Sequence, residues 1–337
     1  MPKFLFSPAL TGLFLLGVLA FTACKKDQEP NAPVTPPMVF VVSTLAGSGV
    51  AGAADGTGTA AQFNWPYGMV LNAGGTLYVA DNANSAIRQV SPAGVVSTLA
   101  NVGGASSLAI DLHGVIYVGS EGKGPLTKVS PSGVVSSLPG AAATHAFNYP
   151  RGLAIDAQGT LYVGEIAGRI LKISPAGAVT VLAGDSTGGY VDGPGAAARF
   201  DGVQSLAVDA QGTLYVGDAG NARIRKVSPA GVVTTLAGSG IMGGADGVGQ
   251  TAQFGTLYGL IVDAQSTLYA TDGSTVRRIS ANGEVKTLAG DNNQSGYVDG
   301  PGTTARFSRV TGICGSPQTG LYVADFDNNR IRKLILQ

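Results

Sequence analysis

Five carboxylates stand at one place in a recurring local pattern: Asp81, Glu165, Asp218, Asp272 and Asp325, with Ser120 at a sixth such place. An arginine follows three of them seven residues later, at Arg88, Arg225 and Arg332. A ring of carboxylates could hold a metal ion or act in general acid–base catalysis. The same spacing could instead tie a hairpin with an Asp–Arg bridge. Catalysis needs one asymmetric site, so several equal copies favour the bridge, which at an exposed position contributes about 0–1 kcal/mol. A second acidic set opens Asp-Gly-x-Gly segments at Asp55, Asp192, Asp246 and Asp299, each followed by an alanine and a phenylalanine: Ala61 and Phe63, Ala198 and Phe200, Ala252 and Phe254, Ala305 and Phe307. Calcium takes about 6–8 oxygen ligands. One carboxylate per loop falls short of that, so the expected role is an Asx-type turn whose Ala and Phe wedge between neighbouring units.

The rest of the reactive inventory is thin. The two histidines, His113 and His145, and the two cysteines, Cys24 and Cys314, do not make a zinc-ligand pattern. No nucleophile elbow or phosphate-binding loop is present. The 337 residues carry 21 basic and 21 acidic side chains, for a formal net charge of zero, which argues against a nucleic-acid partner. Glycine is abundant, at 51 residues, without the three-residue period of collagen. The hydrophobic fraction of 45% is enough to fill a core.

The elements that position these residues are repeats. Leu-Tyr or Ile-Tyr recurs at Leu77, Ile116, Leu161, Leu214, Leu268 and Leu321, with spacings of 39, 45, 53, 54 and 53. Each copy has an apolar strand before it and a β-rich segment after it. Ser-Pro-Ala-Gly or a variant then leads into a further strand, as at Val95, Val134 and Val232. Four short strands, a to d, at this period predict a six-bladed β-propeller, all-β, each blade a four-stranded antiparallel sheet. The last copy ends without strand d, while an orphan strand, Phe40 to Ala46, precedes the first copy. Placed as the missing strand, residues 40–46 close the ring and remove two open edges.

These repeats resemble the NHL-repeat family across about residues 39–337. The fullest copies run from Gly212 to Val227 and from Gly320 to Arg332. The resemblance implies a fold more than a function, since propellers host many activities. In that fold the residue just before strand a is expected to face the mouth of the central channel on the top face. There the copies differ: Tyr67, Ser106, Arg151, Gln204, Tyr258 and Thr311. Two aromatics, one cation and several hydrogen-bonding groups suit a polar or anionic small ligand, a glycan or a protein loop. Arg151 alone is charged, and its fork of donors fits a carboxylate or phosphate.

The N-terminus reads as an address. Lys3 precedes an uncharged apolar run of 18 residues, Phe4 to Phe21, which ends at Phe21-Thr22-Ala23-Cys24. This resembles a bacterial lipoprotein signal, which implies a signal peptide over 1–23, a lipid on Cys24 and a membrane anchor; the alternative is an uncleaved anchor. Residues 24–38 form a polar, Pro-rich tether. The two function classes to weigh are then a monomeric, membrane-anchored extracytoplasmic binding module without a cofactor, and a propeller-type lyase or lactonase. Similar lyases use several histidines with a metal. Propellers similar to gluconolactonases cage a divalent cation in the channel with Glu and Asp/Asn, for which Glu121, Glu165 and the strand-b aspartates are the available groups. The anchor would hold the protein at the outer membrane, facing the periplasm or the cell surface. Cys314, in an apolar strand, reads as a buried thiol without a partner.

Overall fold

The computed structural model describes residues 39–337, which form a six-bladed β-propeller. The signal peptide, the tether and Cys24 lie outside the described residues. Strand a of blades 1 to 6 is Pro66–Leu71, Ala105–Ile110, Pro150–Ile155, Val203–Val208, Leu257–Val262 and Val310–Ser316. Strands b, c and d follow outward from the channel by antiparallel pairing in every blade. The ring closes as the orphan strand predicts: Phe40–Ala46 pairs antiparallel with Arg330–Leu336 as strand d of blade 6.

Blades 1, 4, 5 and 6 have five strands where four are expected from the sequence. The extra strand is a dipeptide from each Asp-Gly loop: Gly56–Thr57, Gly193–Pro194, Gly247–Val248 and Gly300–Pro301. Each lies antiparallel on strand d of its own blade and covers an edge that would otherwise offer unpaired backbone groups. Blade 2 has no such insertion. Its b–c hairpin instead pairs with the blade-3 insertion through Lys123–Gly124 and Phe147–Asn148.

The core is a set of layers between blades. Phe63 is fully buried with Ala46, Tyr322 and Ile331 of blade 6 and with Leu77 and Val90 of blade 1. Phe147, Phe200, Phe254 and Phe307 are equally buried. The wedge expected of these phenylalanines is therefore what they form. The repeated tyrosine also has a role. Asp156, in the a–b turn, accepts the amides of Gln158 and Thr160 on one oxygen and the Tyr162 hydroxyl on the other at 3.2 Å. Burial beside that carboxylate pushes Tyr162 up to about 12. In the c–d turns glycine is needed on two counts: Gly94 has φ of 78°, and a Cβ there would sit 2.8 Å from the Leu45 carbonyl of the next blade.

Candidate functional site

The strand-b carboxylates and the Asp-Gly loops, separate in sequence, meet at one arginine in each of blades 1, 4, 5 and 6. Arg88 binds Asp81 at 2.7 Å and Asp55 at 2.7 Å, and also donates to the carbonyls of Gln62 and Ala54 at 3.0 and 3.2 Å. Arg225 joins Asp218 to Asp192, and Arg332 joins Asp325 to Asp299. The bridge between strands b and c is therefore present but buried: Arg88, Arg225 and Arg332 and their strand-b partners are at most 1% exposed. The small contribution of an exposed bridge therefore does not apply: rupture of this pair leaves a buried charge. Asp55 makes no Asx turn; it takes Arg88 and the amide and hydroxyl of Thr98 on strand d, which ties the loop across the blade.

Blade 5 has the same clamp at shorter spacing. Arg277, five residues after Asp272, binds it at 2.7 Å and Asp246 at 3.1 Å. Asp81, Asp218 and Asp325 each accept an additional amide from Asn84, Asn221 and Asn328. Burial raises all four carboxyls, and Asp272, which has no such donor, is lifted to about 6. Blade 3 replaces the clamp with Glu165 and Arg169, 2.7 Å apart.

The six positions at the channel mouth are not equivalent. Tyr67, Ser106, Arg151, Gln204 and Tyr258 line one cavity, of about 60 Å³, at the top of the channel. Thr311 does not line it: it is fully buried, and its hydroxyl donates to the carbonyls of Pro66 and Tyr67 at 3.1 and 3.3 Å, joining blade 6 to blade 1. Ser106 is also fully buried, with its hydroxyl directed to the Gly119 carbonyl at 3.5 Å. Arg151 is the hub of the rest. It donates to the Tyr67 hydroxyl at 3.3 Å and to Gln204 Oε1 at 3.5 Å, and lies 5.8 Å from the centre of the Tyr67 ring.

The sequence offers Glu121 only as a candidate cation ligand and gives no sign of its partner: it faces Arg151 at 3.3 Å from the b–c hairpin of blade 2. The guanidinium at the mouth is thus already paired with a carboxylate and is not a free anion site. Burial pushes the Tyr67 hydroxyl up to about 12, with Arg151 opposing, so it stays protonated and able to donate.

Beneath the mouth the channel is closed by one apolar side chain per blade: Met69, Leu108, Leu153, Leu206, Leu260 and Ile313 border both the upper cavity and a lower one of about 280 Å³. The intervening residues of strand a are small because neighbouring strands nearly touch. A Cβ on Gly68 would lie 2.6 Å from the Ser106 carbonyl, and one on Gly312 2.3 Å from that of Tyr67.

One residue before strand a, the backbone takes left-handed values in five blades. Blades 2 and 4 place glycines there, Gly104 and Gly202, whereas blades 1, 3 and 6 place Trp65, Tyr149 and Arg309 at φ of 58, 53 and 53°. Side chains other than glycine cost about 1–2 kcal/mol in this region. Trp65 stacks on Phe326, and Phe326 meets the edge of Tyr67, both at 5.7 Å between ring centres; Tyr67 in turn meets Tyr258 at 6.1 Å. Arg309 lies 4.2 Å from the Phe326 ring centre and is paired with Asp327.

His113 is exposed in an a–b turn, and His145 packs on Phe147 at 4.4 Å. Cys314 is buried, which raises its thiol far above the usual range. No group of three or more His, Cys, Asp or Glu side chains placed to hold a metal occurs among the described residues.

No protein-family model matches the sequence, and no curated protein does. Solved structures do match in fold. An auxiliary nutrient binding protein from Bacteroides ovatus superposes with a TM-score of 0.72 at 20% identity, over 89% of this chain and 77% of that one. A second auxiliary nutrient binding protein, from Bacteroides thetaiotaomicron, gives 0.71 at 18% identity, over 89% and 77%. A gluconolactonase from Xanthomonas campestris gives 0.60 at 17% identity, over 82% and 87%. The chain is a six-bladed β-propeller. At these identities the likeness is one of fold, and binding proteins and enzymes both share it.

Proposed function

We propose that the chain is an extracytoplasmic binding module of the NHL-repeat type that takes a polar ligand at the top mouth of the propeller. The observation that carries this reading is the contrast inside one repeat. The clamp residues recur in blade after blade, while the mouth holds Tyr67, Arg151, Gln204 and Tyr258, all different from their counterparts or placed asymmetrically. One asymmetric set of donors on a rigid frame is what recognition of a single ligand requires. The nutrient-binding propellers of Bacteroides are consistent with this reading. Screening the whole chain by thermal shift against glycans, lactones and cell-wall fragments tests it. A ligand whose stabilisation survives loss of the mouth side chains refutes it.

The second reading, a lactonase or lyase with a divalent cation in the channel, rests on the gluconolactonase-like fold. It fits the side chains less well. Below the mouth the channel is walled by Met69 and five branched aliphatic residues, none able to ligate a hard cation. The one carboxylate at the mouth, Glu121, is engaged by Arg151. Metal analysis of the purified protein separates the readings: one stoichiometric divalent cation favours the enzyme.

Attachment to the cell envelope through a lipid on Cys24 is part of the proposal, with the propeller a monomer facing the periplasm or the medium. No helix among the described residues is long and apolar enough to cross a membrane. Cys24→Ser is expected to move the protein from the membrane fraction to the soluble one; a variant that stays with membranes after its signal has been cleaved contradicts the anchor.

A further inference from the structure

We propose that the ligand at the top face is a neutral oligosaccharide, with one sugar ring lying on Trp65. The proposal rests on the mouth being a binding site and names the class of ligand.

The first support is a bulky side chain at a position whose backbone serves the frame, its carbonyl accepting an amide from beyond strand b in blades 1 to 4, with glycine sufficing in two of them. Gly104 and Gly202 occupy the left-handed position before strand a in blades 2 and 4, at φ of 65 and 70°. The same repeat carries Trp65 and Tyr149 at that position in blades 1 and 3. Bulky side chains are rare in this region, and such outliers gather at functional sites. Here the strained backbone displays the side chains outward: Trp65 is 50% exposed and Tyr149 41%.

The second is the surface these residues make. Trp65 rests on Phe326, and Phe326 and Tyr67, both buried, back it as far as the half-buried Tyr258 at the mouth, so the ring face on offer is the outer one of Trp65. A sugar ring offers a flat patch of C–H groups that packs on such an apolar ring face. The mouth cavity itself, about 60 Å³, has room for only a few waters at roughly 10–15 Å³ each, so a sugar lies across the shelf and not within the channel.

The third is charge. Each guanidinium on this surface already has a carboxylate: Arg151 faces Glu121 and Arg309 faces Asp327. An anion would compete with the carboxylates and a cation with the guanidiniums. A neutral polyol competes with neither. Its vicinal hydroxyls donate to the carboxylate and accept from the guanidinium of one pair. Gln204, with an amide donor and acceptor, adds the same dual character.

The chain has one tryptophan, so its fluorescence reports this surface alone. The experiment titrates the whole chain with neutral hexasaccharides of glucose (β-1,4 and α-1,4), xylose and mannose, and with hexagalacturonate as the anionic counterpart. At least one neutral hexasaccharide is expected to change Trp65 emission saturably, and hexagalacturonate to leave it unchanged. Trp65→Gly, read by calorimetry, is expected to lose about tenfold or more in affinity while melting no lower than the parent, since glycine relieves the strained φ. No response to any neutral sugar overturns the proposal. A saturable response to hexagalacturonate alone overturns the neutral class and leaves the mouth as the binding site. Calorimetric binding that both Trp65→Gly and Arg151→Ala leave intact overturns the sugar shelf and the mouth together.

Discussion

The clamps and the mouth lie on the same face of the same ring, yet they use arginine in opposite ways. Arg225 is fully buried, and all of its donors are engaged by Asp218, Asp192 and two backbone carbonyls. Arg151 is 24% exposed and shares looser contacts of 3.3 to 3.5 Å with Tyr67, Gln204 and Glu121. The first recurs, with variations, in blades 1, 4, 5 and 6; the second occurs once. In a repeat protein the recurring side chains build the frame, and those that break the repeat mark where the frame is used.

That comparison can be broken in order of expected effect. Deleting residues 40–46 removes strand d of blade 6 and both of its pairings. The ring should lose its cooperative melting transition; an unchanged melting curve would refute closure by this strand. Arg225→Ala comes next. It leaves Asp218 buried without its cation, at a cost of about 3–5 kcal/mol, which lowers the melting temperature by roughly 10 °C. A shift below about 2 °C would show that the clamp is dispensable.

The smallest effect is a pH dependence, read at blade 5. Burial lifts Asp272 from 3.8 to about 6, so the folded chain holds its proton more tightly than the unfolded chain. Its contribution to stability is greatest below 3.8 and is lost as pH rises through about 6. Asp272→Asn should therefore reduce the fall in melting temperature over that interval, to which the buried Asp81, Asp218 and Asp325, raised in the same direction, also contribute. If wild type and variant show the same slope, Asp272 is ionised throughout.

The fold was legible in the sequence because its signals are local and repeated: strand alternation, Pro-Gly turns and an orphan strand with one vacancy to fill. The clamps were legible in blades 1, 4 and 6, where Asp and Arg are seven residues apart. Arg277 escaped because the blade-5 hairpin is two residues shorter, which changes the spacing but not the register: Arg277 lies opposite Ala270 as Arg225 lies opposite Val216. The aspartates of the Asp-Gly loops carried no sign of their partners, which are 33 residues away for Asp55 and Arg88.

At the mouth, spacing placed five residues around the cavity but could not show where each side chain turns. Thr311 bonds backward to blade 1, and Glu121 arrives from a neighbouring blade. The strained display of Trp65 had a readable sign in the glycines at its register, Gly104 and Gly202, since a position that takes glycine in two copies is one where a tryptophan is costly.

The most direct test of the division between frame and site is a calorimetric titration of Arg151→Ala with whichever compound stabilises the wild-type chain, alongside its melting curve. Loss of a hydrogen bond from a charged group, about 1.5–3 kcal/mol, predicts a weakening of roughly 10–150-fold. The melting temperature should move by less than that of Arg225→Ala. Wild-type affinity in Arg151→Ala, or a melting point as low as that of Arg225→Ala, would contradict the account and make Arg151 one more strut of the ring.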